Sequence, residues 1–342
     1  MKVVVFGQAL IHEPVIWSDD LRALTQGADA VICNFEGCLP PPEAWPMKSK
    51  TVHAAHPASL DMLRDLGVTH LSVANNHIWD FGHAGIVSTV EATTTAGFVV
   101  AGAGRTRADA ATPAIRNGVA LLAVDAGPTP DWAIAGQHPG VNALRVRMSL
   151  GLPMNDIARL QEISRLSGDA ERRSRRRDIG YDADDGAATF YGVPLSEGNT
   201  PREVWTVSSY DLSTVLDAIQ NARANADLVV VSIHYHHWRP DWQGPPNWLT
   251  DVAETLLREG ADCVCATGPP VAFPAHTLGA KAFALGLGNL VFHTARGTRY
   301  DQLGLPVWLG NALTFTDGLW ATHKVDCSRS ALRTVCTSHG AH

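Results

Sequence analysis

The sequence predicts an α/β fold, and three of its features carry that prediction. Short apolar runs rich in β-branched residues recur along the chain and indicate buried strands. Segments with helical periodicity separate these runs, and such alternation is typical of a sheet covered by helices. Several apolar runs end in glycine and polar side chains, which is where α/β proteins place their ligands. We therefore expect a layered α/β protein with its functional site at the strand ends.

The first part of the chain supplies strand and helix signals in regular alternation. A β-branched run at residues 3–6 ends in a tight turn at Gly7-Gln8, and residues 30–37 form a second predicted strand. The proline-rich segment at residues 39–46 is a predicted surface loop, because proline lacks the backbone donor of regular structure. The other predicted elements are helices at residues 21–27, 57–66 and 86–96, strands at 98–101 and 119–126, and a turn at 102–104.

Regular signals weaken between residues 127 and 206, so we expect an irregular excursion within a single domain spanning residues 1–342. A basic cluster followed by an acidic one lies in this excursion. We interpret them as a solvated helix end and loop, the alternative being a lid whose arginines bind a carboxylate or phosphate. The clusters comprise Arg172, Arg173, Arg175, Arg176, Arg177, Asp178, Asp182, Asp184 and Asp185. Beyond them we predict a helix at residues 213–222, a strand at 227–233, a helix ending at 260, and strands at 261–266 and 282–287.

The composition excludes several classes of function. The chain is 45% hydrophobic and 18% charged, as in globular proteins, and its net charge of −7 argues against a nucleic-acid-binding surface. No stretch approaches the ~18 apolar residues of a membrane span, and the first apolar run is too short for a signal peptide, so we expect no membrane anchor. Several of the six cysteines lie in apolar runs, so we expect reduced thiols and a cytoplasmic protein.

The most informative stretch is residues 72–82, which begins apolar and then turns polar. Asn75 supplies a neutral oxygen ligand, and His77 supplies an acid, a base or a nitrogen ligand. Asp80 is placed to orient His77. The alternative is a plain turn in which the amides and the carboxylate cap the following helix.

Three further strand ends carry chemically useful side chains. His234 and His236 point to the same side if the strand continues, and such a pair binds a metal or shares a proton, whereas His237 points away. Glu36, after Asn34-Phe35, is a candidate metal ligand or general base. Asn289 follows a glycine pair that permits close approach of the backbone.

The order of these motifs resembles the CapA family of capsule and poly-gamma-glutamate synthesis proteins. The resemblance extends over nearly the whole chain. It is carried by Gly7 with the polar residue after it, Asn34-Phe35-Glu36, Ala74-Asn75-Asn76-His77, Asp80-Phe81-Gly82, Gly102-Ala103-Gly104, Pro139-Gly140-Val141-Asn142, residues 227–236, Gly260-Ala261-Asp262, Gly268-Pro269 and Leu287-Gly288-Asn289-Leu290-Val291-Phe292. It implies a metallophosphatase-like fold, an α-β-β-α sandwich, and hydrolysis or transfer at an amide, gamma-glutamyl or phosphoester bond.

The departures from the family pattern concern metal ligands. Gln8, Thr267 and Pro270 stand where the family has an aspartate and two histidines, so three implied ligands are missing. We therefore expect no dinuclear centre, because carboxylates and imidazoles are what hold one. The expectation is either no metal or one weakly bound divalent ion (Zn, Mn or Fe). Its ligands would be Glu36, Asn75 and His234, with His236 as an additional candidate and His53 and His56 as candidate replacements for the missing groups.

These features predict a CapA-like tailoring enzyme that uses acid–base catalysis at an amide or acyl centre of a small peptide-like or amino-acid-derived metabolite. Glu36 or His234 is the predicted base, and His77, oriented by Asp80, is the predicted acid. The alternatives are a mononuclear metal-dependent amide or phosphoester hydrolase and a non-catalytic scaffold of a capsule or biosynthetic assembly. The catalytic candidates are His77, Asp80, Glu36, His234 and His236. The substrate-binding candidates are Gln8, Asn34, Asn76, His56 and Asn289. The only partner that we predict is the small-molecule substrate, and the sequence leaves the oligomeric state open.

Overall fold

The structure, a computed structural model, describes residues 1–49, 51–182, 186, 188–330 and 333–339, and from residue 328 onward it describes the backbone alone. The chain divides into two units, each with its own internal packing. The first comprises Met1–Arg145 and Ser209–His342, and the second comprises Val146–Ser208.

Strands and helices alternate along the first unit, and the predicted α/β class is confirmed. In chain order the strands are β1 (Lys2–Leu10), β2 (Val15–Trp17), β3 (Ala30–Phe35), β4 (His70–Ser72), β5 (Val99–Ala101), β6 (Ala103–Gly104), β7 (Ala114–Arg116), β8 (Val119–Asp125), β9 (Gly140–Val141), β10 (Val146–Leu152), β11 (Thr189–Phe190), β12 (Val193–Glu197), β13 (Arg202–Val207), β14 (Leu228–His234), β15 (Cys263–Thr267), β16 (His276–Leu278), β17 (Lys281–Ala284), β18 (Asn289–Phe292), β19 (Leu309–Thr316), β20 (Leu319–Ser330) and β21 (Arg333–His339). The helices are α1 (Asp19–Thr25), α2 (Ser59–Asp65), α3 (Gly82–Thr95), α4 (Arg107–Ala111), α5 (Met154–Leu166), α6 (Asp169–Asp178), α7 (Ser209–Arg223), α8 (Asn247–Arg258) and α9 (Gly297–Gln302), with a 3₁₀ turn at Asp131–Ala133.

The first sheet is built around β1, and its strand order is β2-β21-β20-β19-β1-β3-β4-β5, with β18 also pairing with β1. Val3, Val4 and Val5 are fully buried. An apolar run without alternation is typical of a strand that is covered on both faces. Because β1 runs parallel to β3 and to β18, the carboxyl ends of these strands lie at one edge of the sheet.

The second sheet has the order β16-β17-β15-β14-β8-β7. Strands β8, β14, β15 and β17 run parallel, so their carboxyl ends also share one edge. In this register His234 lies opposite Asp125 on one side and Thr267 on the other. The second sheet therefore presents three polar side chains in a row at its carboxyl edge.

The two sheets share one hydrophobic core. A single cluster of buried side chains includes Val5 and Ile32 from the first sheet and Leu121, Val230 and Cys265 from the second. Helix α1 contacts β21 and α3 contacts β5, whereas α7 and α8 contact strands of the second sheet. Removing these apolar faces from water is the main contribution that favours the folded state.

Two predicted elements differ from the observed ones. The predicted turn at residues 102–104 contains the short strand β6, which pairs with β9. The predicted strand at residues 282–287 ends at Ala284, and the chain turns at Gly288 (φ +65°) before β18 starts at Asn289. This turn passes close to Gly7 in β1. Position 7 therefore also requires glycine, because a Cβ atom there would lie 2.1 Å from the carbonyl oxygen of Gly288.

The second unit lies in the segment that the sequence predicts to be irregular. It contains a sheet with the order β11-β12-β10-β13, together with α5 and α6. Its core is small, with Leu152, Ile157 and Leu195 buried. Helix α6 is composed almost entirely of charged residues, so it carries no apolar face for a sequence pattern to detect.

The arginines of α6 pair mostly within the second unit. Arg173 contacts Asp169 at 3.2 Å, and Arg175 contacts Glu171 at 2.9 Å. Arg176 contacts Asp182 at 2.9 Å. Asp184 and Asp185 lie outside the described residues. Local pairing of this kind is typical of the solvated helix end that the sequence predicts.

Cys33, Cys38, Cys263 and Cys265 are buried free thiols. Within the described part of the chain, no helix combines the length and the apolar composition needed to cross a bilayer.

Candidate functional site

A cavity of about 230 Å³ opens at the carboxyl ends of β1, β3 and β14. Its polar side chains come from strand ends and from the loops that follow them, which is the usual position of ligand sites in α/β folds. The lining residues are Gln8, Leu10, Glu36, Thr51, His53, His77, His236, Trp238, Gly268, Pro270, Phe292, Thr294, Ala295, Arg296 and Tyr300.

Asn75 fixes the turn that carries His77. Its amide nitrogen donates to the carbonyl oxygen of Phe35 at 2.8 Å and to Oδ1 of Asn34 at 3.2 Å. Its Oδ1 accepts the backbone N–H of His77 at 3.0 Å. Asn75 was predicted as a metal ligand, but in the structure its oxygen is engaged by the backbone that it holds in place. Asn34 likewise serves as a partner of Asn75 and does not line the cavity.

His77 and Asp80 form a hydrogen-bonded pair next to the cavity. Nδ1 of His77 lies 2.8 Å from Oδ2 of Asp80, which also accepts the backbone N–H of His53 at 2.7 Å. Nζ of Lys48 lies 2.6 Å from the other oxygen, Oδ1. Burial alone would raise the pKa of Asp80, but the hydrogen bond from His77 and the charge of Lys48 hold it below its ordinary value. Asp80 is therefore an ionised carboxylate that fixes the ring of His77.

The other nitrogen of His77 faces Glu36. Nε2 lies 3.9 Å from Oε1 of Glu36 and 3.2 Å from the amide nitrogen of Asn76. Burial lowers the pKa of His77, although the hydrogen bond to Asp80 acts in the opposite direction. The imidazole is therefore neutral near pH 7. With its Nδ1 proton directed to Asp80, its Nε2 carries the lone pair.

Glu36 is a buried carboxyl group with an unsatisfied oxygen. Only 5% of the residue is exposed, and Oε2 has no hydrogen-bond partner among the described residues. Burial, followed by the charge of Asp80, raises the pKa of Glu36 to about 8. The group is therefore mostly protonated at neutral pH. A buried polar atom without a partner at a cavity wall is a functional-site signal.

His234 and His236 lie on the same side of the chain, as the alternation of β14 predicts. Their Nε2 atoms are 3.1 Å apart, and both contact Oδ1 of Asn76, at 2.9 and 3.1 Å. Nδ1 of His234 lies 3.1 Å from the hydroxyl oxygen of Thr267. Burial lowers the pKa of both rings, that of His236 to about 3. Both imidazoles are therefore neutral, which is the form that binds metals.

Glu36, His234 and His236 are suited to holding one divalent cation. Their ligand atoms lie within 4.8 Å of one another, and no other such group of histidine, cysteine and carboxylate side chains occurs in the described part of the chain. Two nitrogens that bind the same tetrahedral zinc ion stand about 3.4 Å apart, close to the observed 3.1 Å. The unpaired oxygen of Glu36 supplies the third donor.

The three positions that depart from the family pattern have structural roles. Gln8 accepts the backbone N–H of Gly268 at 2.9 Å and donates to Oδ1 of Asn289 at 2.8 Å. Asn289 in turn donates to the carbonyl oxygens of Pro270 and Val307, at 2.8 and 2.6 Å. Thr267 contacts His234, as described above. The predicted substrate-binding residues Gln8 and Asn289 thus connect the loops around the cavity through their own amide groups.

His56 lies away from the cavity. Its Nδ1 accepts the backbone N–H of Ala58 at 3.1 Å, at the start of α2. The other candidate replacement, His53, does line the cavity, and its Nδ1 has no hydrogen-bond partner among the described residues. Burial lowers the pKa of His53 to about 3.

Lys48 and Asp125 are two charged residues of this region that sequence reasoning missed. Lys48 lies in a loop that carries no recognisable motif. Its contact with Asp80 depends on the path of that loop in the folded chain, which no local pattern predicts. Asp125 ends β8 beside His234, and burial raises its pKa to about 6. The only signal for Asp125 was its place at the end of a predicted strand, the same signal that identified Glu36.

The fold and the cavity together define an α/β protein with an imidazole–carboxylate site at its strand ends. The family model for the bacterial capsule synthesis protein PGA_cap matches residues 8–294. The chain therefore belongs to this family, and the resemblance found in its motifs is confirmed.

Similarity to individual relatives is distant. The uncharacterized protein y4sH of Sinorhizobium fredii is 24% identical over 265 residues, covering 75% of this chain and 54% of that protein. A probable polyglutamine synthesis accessory protein of Mycobacterium tuberculosis is 29% identical over 138 residues, covering 38% of this chain and 36% of that protein. The chain spans about half the length of the first of these relatives and about a third of the second.

Proposed function

We propose that this member of the capsule synthesis family is an enzyme that acts on an amide or acyl centre of a small peptide-like or amino-acid-derived substrate. The observation that carries the proposal is the His77–Asp80 pair. Asp80 holds Nδ1 of His77 at 2.8 Å and leaves Nε2 directed toward Glu36 at the cavity. A base whose second nitrogen is fixed by a carboxylate is the arrangement that general base catalysis requires.

The charge states of His77 and Glu36 favour the reverse of the predicted assignment, in which Glu36 was a candidate base and His77 the acid. His77 is neutral near pH 7 and suits the base, whereas Glu36 is mostly protonated and suits the acid. In the proposed hydrolysis, Nε2 of His77 takes a proton from water, whose oxygen attacks the carbonyl carbon. Asp80 stabilises the resulting imidazolium ion. Glu36 then gives its proton to the leaving nitrogen as the carbon–nitrogen bond breaks, and the imidazolium proton restores Glu36 by way of solvent.

The residues that line the cavity favour an amide substrate over a phosphoester substrate. Leu10, Trp238, Phe292 and Tyr300 make much of the cavity wall apolar or aromatic. Among the described residues that line the cavity, only Arg296 carries a fixed positive charge, and it is exposed. Transfer of a phosphoryl group relies on several positive charges around the phosphate oxygens, supplied by arginine, lysine or metal ions, and the wall by itself offers one.

A second candidate is the same reaction assisted by one divalent metal. It is favoured by the convergence of Glu36, His234 and His236, whose donor set suits zinc, manganese or iron. When bound, such an ion polarises a carbonyl group and lowers the pKa of a bound water molecule. In this candidate Glu36 is a ligand and not the acid, while Asp80 still orients His77.

The metallophosphatase-like form of the fold is also part of the proposal. It is supported by the core that the two sheets share and by the helices that contact each sheet. The cytoplasmic location stays a prediction from the buried thiols.

The test begins with protein purified without chelators or affinity metals. Elemental analysis gives the metal content. A probe panel of amino-acid p-nitroanilides, gamma-glutamyl p-nitroanilide and bis(p-nitrophenyl) phosphate then compares amide with phosphoester hydrolysis. We expect amide hydrolysis that His77→Ala or Glu36→Gln abolishes. Near-stoichiometric metal with loss of activity to chelators would favour the second candidate. Full activity in both variants would refute both, and a folded wild type without activity on any probe would favour the non-catalytic scaffold.

A further inference from the structure

The loop that begins with the proline-rich segment, described at residues 39–49 and 51–52, folds back onto the turn that carries His77. Its two ends meet at Cys38, whose backbone N–H donates to the carbonyl oxygen of His53 at 2.9 Å and whose carbonyl oxygen accepts from Ala55 at 2.9 Å. Near the middle of the loop, the backbone N–H of Met47 donates to the carbonyl oxygen of Asp80 at 2.7 Å. The loop is therefore anchored at its ends and at the turn, although its described residues, 39–49 and 51–52, form no helix or strand.

Lys48, in this loop, contacts three groups of the turn that carries His77. Its ammonium nitrogen lies 2.6 Å from Oδ1 of Asp80, donates to the carbonyl oxygen of Asn76, and sits 3.8 Å from the centre of the Trp79 ring. A cation so placed gains from the carboxylate, the carbonyl dipole and the aromatic face together. The side chain is only 17% exposed, so solvent screens the ion pair weakly.

Lys48 makes its contacts with the turn that carries His77, at Asn76 and Asp80. It is absent from the residues that line the cavity, and its charged partner Asp80 is fully buried. The two oxygens of Asp80 have different partners. Oδ1 lies next to the ammonium group of Lys48, and Oδ2 accepts hydrogen bonds from the backbone N–H of His53 and from Nδ1 of His77. Without a cation at Oδ1, the buried carboxylate would lack its counter-charge and could rotate or take up a proton.

We propose that Lys48 is a positioning residue. It holds the Asp80 carboxylate, and Asp80 in turn holds the His77 ring with Nε2 toward the cavity. This inference rests on the proposed function, in which His77 moves the proton. The loop that the sequence marks only by its prolines thereby becomes part of the catalytic apparatus.

The test compares two substitutions of the same side chain. Lys48→Met keeps the length that packs on Trp79 but removes the charge, whereas Lys48→Arg keeps a cation that also stacks on aromatic rings. On the amide probe that the wild type hydrolyses fastest, we expect Lys48→Met to lower kcat by at least about tenfold with KM within about twofold. Lys48→Arg should recover part of the loss. Lys281→Met, at a partly buried lysine outside the cavity that donates to Leu257, should leave kcat unchanged.

A double-mutant cycle separates positioning from a general structural effect. If Lys48 acts through Asp80, adding Lys48→Met to Asp80→Asn should lower kcat no further than Asp80→Asn alone. Losses that multiply would overturn the proposal, as would a kcat for Lys48→Met equal to that of the wild type. Thermal unfolding checks that each variant is folded. If Lys48→Met does not fold, Lys48→Gln takes its place in the cycle.

A readout without substrate keeps the two proposals distinguishable. The Nδ1 proton of His77, bonded to a carboxylate, should give a strongly downfield proton NMR signal, assigned by its disappearance in His77→Gln. We expect this signal in the wild type and in Lys48→Arg, and its loss in folded Lys48→Met. An unchanged signal in Lys48→Met would overturn the role of Lys48. If the wild type hydrolyses no probe, the proposed function fails, and the signal alone decides whether Lys48 positions His77.

Discussion

Replacing Glu36 with glutamine should make the metal-free protein more stable at alkaline pH. Glu36 is buried, and its pKa is raised from the ordinary 4.5 to about 8. Between these two values the folded protein keeps a proton that the unfolded chain has released. The stability that depends on this proton is fully present below about pH 4.5 and is lost as the pH rises through about 8.

The size of the effect follows from the same two values. One pKa unit corresponds to about 1.4 kcal/mol, so the rise from 4.5 to about 8 corresponds to roughly 5 kcal/mol of free energy of unfolding. The Glu36 side chain is only 6% exposed, and solvent therefore reduces this figure little. Between about pH 5 and 8.5 we expect the stability of Glu36→Gln relative to the wild type to improve by about 3–5 kcal/mol.

The assay is urea unfolding of chelator-treated protein at several pH values across that range. Groups that do not interact with Glu36 titrate alike in both proteins, so their contributions cancel in the difference, whereas the interaction of Asp125 with Glu36 remains part of it. Glu254→Gln, at an exposed glutamate of α8, is the matched control and should follow the wild type throughout. A difference between Glu36→Gln and the wild type that changes by less than about 1 kcal/mol over the range would refute the reasoning.

Repeating the assay with added zinc tests the ligand set. At a free zinc concentration of 100 times Kd, binding to the folded state should stabilise the wild type by about 2.7 kcal/mol. Zinc binds the ionised form of a carboxylate, so Glu36 contributes to this gain if it is a ligand. Glu36→Gln should gain markedly less. Equal gains in the two proteins would show that Glu36 is not a ligand.

Three further substitutions give direct tests of the site. His77→Gln should lower kcat for the amide probe by roughly 10²–10⁴-fold with little change in KM, measured by steady-state kinetics. His236→Gln should weaken zinc binding at least about tenfold in calorimetric titration, because it removes one of three ligands. Gly268→Ala should lower the free energy of unfolding by more than about 2 kcal/mol in urea, because its φ is +120° and the new Cβ would lie 1.9 Å from the carbonyl oxygen of Tyr235.

Each of these variants has a control in the same chain. His83→Gln, outside the cavity, should keep the kinetics of the wild type, and equal losses in it and His77→Gln would contradict the role of His77. His237→Gln should keep zinc affinity, because His237 is not among the three grouped ligands. Gly136→Ala meets only an ordinary 3.5 Å contact, so a loss of stability as large as that of Gly268→Ala would argue against the clash.

Local patterns were sufficient to identify the elements and several site residues. Val3, Val4 and Val5 and the similar run in β14 predict strands because every side chain is apolar and both faces of the strand are buried. His234 and His236 face the same side because side chains alternate along a strand. By contrast, the near-absence of apolar residues in α6 left that helix without a periodic signal.

Chain order and spacing determined the family, the α/β class and the strand ends at which Glu36, His77 and His234 occur. Only the tertiary structure decided which polar groups are engaged by the backbone and which face the cavity. Asn75 and Gln8 carry the same amide chemistry, and both hydrogen-bond to the backbone, at Phe35 and Gly268, but only Gln8 also lines the cavity. The charge states also depend on tertiary structure, because burial, which raises the pKa of Glu36 and lowers that of His77, is a property of the assembled fold.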